Sequence, residues 1–259
     1  MTTISAQDEL FSTLLEQSFF DAEHREILLS KYSQLAKAYV DIDHSIAVLS
    51  DFQYNKSYIY AGSFGDIFGL PSHSLSIDSA FEECIFSKIH PDDLRERHIL
   101  ELRYFQFQKN LPPEERHKYN TFSYIRVCNA LGKYQYITHR TFYLTSLPNG
   151  SIWLALCLYA PSMEQHPRQG IDGKIINNET GEILSIERYK QYDCTLLSGR
   201  ELEVLTLVAQ GKGSKQIAEQ LNIALYTVHR HRQNIIKKMQ VTNGAEAVQT
   251  ALVMGLIVV

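Results

Sequence analysis

The chain has 259 residues, 44% of them apolar and 21% charged, with a net charge of −4. That length suits two domains, and the composition excludes a disordered, collagen-like or coiled-coil chain. The longest apolar stretches, Ile152–Ala160 and Ala251–Val259, are too short to cross a bilayer, and the opening MTTISAQDEL lacks the basic start and apolar run of a signal peptide. A cytoplasmic protein is expected. Cys84, Cys128, Cys157 and Cys194 are scattered without a CxxC pair, which fits a reducing compartment and argues against a disulfide framework or a cysteine zinc site. From Thr195 onward there are seven basic and four acidic residues, and Tyr226 is the one aromatic ring beyond residue 194. The chain therefore divides into a larger acidic body with a ring-rich core and a small basic domain built on Leu, Ile, Val and Ala.

Residues 1–41 read as a helical segment. Leu10, Leu14 and Leu15, then Ile27, Leu28, Leu35 and Tyr39, recur at helical spacing. From 42 to 161 the pattern changes. Ile46–Asp51 and Ser57–Tyr60 carry strand signals, followed by the Gly-rich Gly62-Ser-Phe-Gly-Asp-Ile-Phe-Gly-Leu70. Pro91–Asn110 is a helix with Leu94, His98, Leu102 and Phe105 on one face. Strands follow at about Asn120–Cys128, Tyr134–Thr145 and Ser151–Tyr159, separated by the turn-forming Ala130-Leu-Gly-Lys133 and Pro148-Asn-Gly150. Two strands, helices, then three antiparallel strands make an α+β layout. On Phe68-Gly69-Leu70, Ile89-His-Pro-Asp-Asp93, Tyr124-Ile-Arg-Val-Cys-Asn-Ala-Leu-Gly-Lys133 and the aromatic final strands with Trp153, this region resembles a PAS domain. The resemblance implies a sensor that uses the space between sheet and helices for a small ligand, a cofactor, light or a partner protein.

His90-Pro-Asp-Asp93 has the look of a ligand cluster, but Pro91 suits the first helical turn and the acids suit its dipole, so the reading here is structural. No Asn-Cys-Arg-type flavin-adduct motif appears. His98 is read as an ordinary half-buried histidine in preference to a haem ligand. No cofactor, metal or catalytic residue is assigned. Residues 162–193 form a linker: Pro161, Pro167, Gly170 and Gly173 mark the break, Lys174–Leu184 reads as a β-hairpin and Ile186–Tyr192 as a short helix.

Residues 194–259 carry four helical patterns. The first opens with the capping box Ser198-Gly-Arg-Glu201 and repeats Leu202, Leu205, Val208 and Ala209 up to Gly211. The second spans Ser214–Leu221, with Ile217, Ala218 and Leu221 on one face, and Asn222–Leu225 forms a turn. The third runs from Tyr226 or Thr227 to Met239. At 100° per residue, Val228, Ile235 and Met239 form its buried stripe, while His229, Arg230, Gln233 and Lys237 lie opposite. The fourth begins after Asn243 and carries Val248, Ala251, Leu252 and Gly255. A short helix, a tight turn and a helix with a cationic, amide-bearing outer face describe a helix-turn-helix, whose second element enters the DNA major groove. A plain solvated face is the competing reading of the stripe.

Leu197-Ser-Gly-Arg-Glu-Leu-Glu-Val-Leu205, Gly211, Lys215-Gln-Ile-Ala218, Thr227-Val228, His231, Asn234-Ile235, Lys238-Met239, Val241 and Glu246-Ala-Val248 together resemble the DNA-binding domain of LuxR-type transcription regulators. The resemblance implies base contacts from His229, Arg230 and Gln233. It implies phosphate contacts from Lys215, Thr227, Lys237 and Lys238, and a dimer helix with Val248, Ala251, Leu252 and Gly255. His231 is read as a satisfied core histidine. Three positions depart from the family pattern: His229 stands where Lys is usual, Gly244 where Arg is frequent, and Ala224 where a Ser would cap the third helix.

A receiver domain would need paired acids after its first strand and alternating βα units. Val48-Leu-Ser-Asp51 lies at a first strand without them. No GxxxxGK[ST], HExxH or GxSxG motif points to an enzyme. The expected protein is an α+β PAS-like sensor followed by an all-α helix-turn-helix domain, a regulator that senses a small ligand or partner and binds double-stranded DNA as a homodimer. The alternative is an adaptor that docks another regulator through its sensor body and uses the helix-turn-helix only as a DNA tether.

Overall fold

The computed structural model describes residues 5–19, 25–71, 74–166, 168–184, 197–239, 241–253 and 256–257. The expected helix at Ile186–Tyr192, Cys194 and the dimer-helix residue Gly255 lie outside the described residues. Two compact units are present, Phe11–Ile183 and Met1–Leu10 with Leu184–Val259. The division falls within the first helix, α1 (Ala6–Leu15).

In the larger unit, α2 (Arg25–Asp43) precedes β1 (Ile46–Asp51) and β2 (Lys56–Ala61). A 3₁₀ segment at Ser63–Phe68, β3 (Leu75–Ile77) and the single-turn α3 (Glu83–Phe86) follow. The long helix α4 (Pro91–Lys109) leads to β4 (Tyr119–Cys128), β5 (Tyr134–Ser146), β6 (Ile152–Pro161) and β7 (Lys174–Asn177). The seven strands form one sheet in the order β3-β2-β1-β6-β5-β4-β7, and each neighbouring pair is antiparallel. This is the α+β layout the sequence predicts. β1 lies between β2 and β6 with all six residues buried, so its unbroken apolar start Ile46-Ala-Val-Leu49 suits a strand covered on both faces. β7, from the segment read as linker, adds an edge strand to β4; the chain then turns at Gly181, φ +72°, and Ile183 bridges back to Ile176.

Asp51 has a structural task. Its fully buried carboxylate accepts from the Trp153 indole at 3.0 Å and from Arg25 at 2.9 Å. The His-Pro-Asp-Asp segment is structural as well. His90 caps α4 by accepting from the Asp92 amide at 3.3 Å, and Asp93 takes the Arg126 backbone N–H at 2.7 Å together with its guanidinium.

On α2 the row Leu28, Tyr32, Ala36, Val40 turns inward. Leu28, Leu29 and Tyr32 pack against Leu49, Leu147 and Trp153, and Ala36 and Val40 against Ala47 and Leu158. Of the apolar residues read as one pattern, Ile27, Leu35 and Tyr39 are instead exposed. The helix carries apolar side chains on two faces, and the face with a continuous i, i+4 row docks on the sheet.

The smaller unit contains four C-terminal helices: α5 (Gly199–Ala209), α6 (Ser214–Leu221), α7 (Leu225–Lys238) and α8 (Gly244–Val253). Their shared core includes Val204, Leu205, Ile217, Val228, Ile235, Met239, Ala247 and Ala251, all buried.

Candidate nucleic-acid interface

Three local devices set the entry of α7. The α5 capping box is formed: the Glu201 amide donates to Ser198 Oγ at 3.3 Å, and Glu201 Oε2 accepts from the Ser198 amide at 2.8 Å. Arg200 Nη2 then reaches the Leu221 carbonyl at 2.7 Å, satisfying one orphan acceptor at the end of α6. Asn222 adopts a left-handed conformation, φ 50°, and turns the chain so that Ala224 becomes the N-cap of α7. Ala224 supplies no side-chain cap, as its methyl group requires.

Val228, Ile235 and Met239 are buried, as the 100° reading predicts. His229, Arg230, Gln233 and Lys237 are exposed, and no carboxylate lies on α7. Tyr226 was missed by the sequence reading, which treated it only as a helix start. It is 77% exposed and stands three and four residues before His229 and Arg230, so it extends the same face by one turn. That spacing was the available signal. Lys215 is exposed in the first turn of α6, and Thr227 is half-buried with its amide donating to the Ala224 carbonyl at 2.9 Å.

Lys238 is placed differently. Its ammonium donates to Glu201 Oε2 at 2.9 Å, tying the end of α7 to the capping box of α5. Burial pushes the Glu201 carboxyl up, but Lys238 and the Ser198 donors outweigh it and hold the pKa below its ordinary value. Arg232 is half-buried and donates to Ser214 Oγ at 3.2 Å, which fixes α7 against the start of α6. His231 is half-buried, and its Nδ1 has no partner among the described residues, where a satisfied histidine was expected. On α8, Ala251 is buried in the domain core, Val248 is half-buried and Leu252 is exposed. His98, on α4 in the other unit, is fully buried rather than half-buried.

Residues 195–251 match the family described as bacterial regulatory proteins, luxR family. Among curated proteins, an uncharacterized response regulatory protein, YgeK, of Escherichia coli K12 is 49% identical over 59 residues, 23% of this chain and 40% of that protein. The oxygen regulatory protein NreC of Staphylococcus carnosus is 44% identical over 57 residues, 22% of this chain and 26% of that protein. The chain thus spans less than half the length of these relatives. Among solved structures, the phage VqmA–DPO complex is 17% identical, with a TM-score of 0.30, over 92% of this chain and 94% of that one. Escherichia coli SdiA is 17% identical, with a TM-score of 0.25, over 91% and 98% of the two chains. Among the described residues, no helix is long and apolar enough to cross a membrane.

Proposed function

We propose, from the match of residues 195–251 to the luxR family of bacterial regulatory proteins, that the chain is a transcription regulator whose α7 reads DNA in the major groove. The observation that carries this reading is the exposed, carboxylate-free face Tyr226, His229, Arg230, Gln233, Lys237, opposite a fully buried stripe. Arg230 has the donors for a bidentate bond to guanine, and Gln233 can bond adenine in the same way. His229 completes the base-contact set. Lys215, Lys237 and Thr227 hold the phosphates on either side. Lys238 acts inside the domain, on Glu201. The chain works as a homodimer on a two-fold site, with the exposed part of α8 around Leu252 at the subunit contact. The PAS-like unit senses a small ligand and alters promoter occupancy.

Fluorescence anisotropy with the full chain on a specific and a scrambled duplex tests the assignment. Arg230→Ala should relax base preference at one position at a cost of about 1–3 kcal/mol. Lys237→Ala should weaken both duplexes alike and flatten the salt slope by about one. Identical behaviour of the two variants would refute the division of roles.

A further inference from the structure

One ring stands on the exposed face of α7. Tyr226 is the second residue of that helix and is 77% exposed. Among the described residues of the C-terminal unit, the other exposed large apolar side chains are Leu225 at 38% and Leu252 at 43%. The core of the unit is aliphatic, with Val204, Leu205, Ile217, Val228 and Ile235 buried, so the ring has no part in it. The fold gains little from a ring left in water, and its area stays available to whatever the face meets.

The position of Tyr226 around the helix is specific. At 100° per residue, Arg230, Gln233 and Lys237 lie within about 40° of it, and the buried Val228, Ile235 and Met239 lie within about 40° of the opposite direction. Tyr226 is therefore on the midline of the outer face. Thr227 and Lys238, about 100° and 120° round the helix, are on its rim. A recognition helix turns its midline to the floor of the major groove and reaches base edges with its N-terminal residues. That floor presents hydrogen-bonding edges and one apolar group, the C5-methyl of thymine. Arg230 and Gln233 match the hydrogen-bonding edges. The group that a ring matches there is the methyl.

We propose that Tyr226 reads the C5-methyl group of a pyrimidine in each half of the DNA site, a thymine or a 5-methylcytosine in its place. This deepens, and rests on, the reading of α7 as the base-reading helix. A rise of about 1.5 Å per residue sets Tyr226 about 6 Å before Arg230 along the axis, about two base-pair steps. The methyl-bearing pyrimidine therefore lies within about two base pairs of the position that Arg230 reads. Burying one methyl carbon against the ring changes a binding constant about fourfold.

The test uses the full chain. Duplexes that it binds are first selected from a random pool. Each thymine of the selected motif is then replaced singly by deoxyuridine, which removes the methyl group and keeps the pairing. Fluorescence anisotropy compares the duplexes with the unmodified chain, Tyr226→Phe and Tyr226→Ala. The side chain is exposed, so neither substitution opens the core. One thymine in each half, within about two base pairs of the position whose preference Arg230→Ala loses, should cost about fourfold on conversion to deoxyuridine. Tyr226→Phe should keep that ratio, because the ring remains. Tyr226→Ala should abolish it and bind both duplexes alike. Cytosine at the same position should bind more tightly, by a similar factor, once methylated at C5. A selected motif without a methyl-sensitive thymine leaves the DNA reading standing and overturns this inference. A ratio that survives in Tyr226→Ala assigns the methyl to another residue and overturns it as well. Equal weakening of every duplex by Tyr226→Phe, with no difference between thymine and deoxyuridine, makes the hydroxyl a phosphate contact and also overturns it. Absence of any selected motif overturns the reading of α7 and this inference together.

Discussion

The uncapped start of α7 gives a prediction with a defined size. Ala224 is the N-cap, with extended φ/ψ of −64° and 144°, and its methyl group accepts nothing. The Thr227 amide has turned to the Ala224 carbonyl at 2.9 Å. A Ser at this position needs no backbone change, because its conformation is already that of a capping residue. Its hydroxyl would accept from the Tyr226 or Thr227 amide. A Ser cap in place of Ala stabilises a helix by about 0.5–2 kcal/mol, typically about 1. About 1 kcal/mol is a roughly fivefold change in an opening equilibrium. Hydrogen exchange followed by mass spectrometry on the full chain reads this locally, so the two units need not unfold together. Ala224→Ser should slow exchange of the α7 amides about fivefold and leave β1 and β6 unchanged. Ala224→Asp should protect α7 at least as well through the helix dipole, yet weaken DNA binding, since a carboxylate then faces phosphate. Unchanged or faster α7 exchange in the Ser variant would refute the cap assignment.

Three other perturbations test separate parts of the account. Glu96, which accepts from the Ile171 amide at 3.0 Å, has its pKa pushed up to about 7, chiefly by burial. Its ionisation opposes folding as pH rises from the unfolded value through 7, so Glu96→Gln should raise thermal stability by roughly 1–3 kcal/mol at pH 8 and have little effect at pH 4; an equal effect at both pH values would contradict this. Lys238→Met should destabilise the C-terminal unit by about 1 kcal/mol at neutral pH. Because the Glu201 pKa is lowered in the fold, that loss should fade as pH falls through the lowered value, and calorimetry across pH would show a constant loss if the pairing were wrong. Tyr226→Ala should lower affinity for a specific duplex without altering α7 exchange, and unchanged affinity would remove Tyr226 from the DNA face.

Much of the sheet was legible because burial leaves a plain pattern. β1 is an unbroken apolar run, and the turns around Gly132 and Gly150 sit where the sequence has turn residues, both with positive φ. The α7 face was legible because Val228, Ile235 and Met239 define one side and leave the other determined. Lys238 was not, because a lysine on the edge of a cationic face reads as solvent-facing until Glu201 is placed 2.9 Å away, 37 residues earlier in the chain. The orientation of α2 was equally hidden, since Ile27 and Leu35 are as apolar as the residues that dock. His98 looked ordinary because no local pattern announces that Arg97, Glu101 and His139 share its interior. The β7 strand was legible as half of the hairpin read at Lys174–Leu184, but its place in the sheet was not, because that pairing comes from β4, more than fifty positions upstream.

The central claim is that α7 reads DNA bases. Selection of bound duplexes from a random pool, with the full chain and then with Arg230→Ala, tests it most directly. The account predicts that the unmodified chain enriches a two-fold-related motif. The variant should enrich the same motif with preference lost at one position in each half. No enriched motif, or one identical for both proteins, would contradict it.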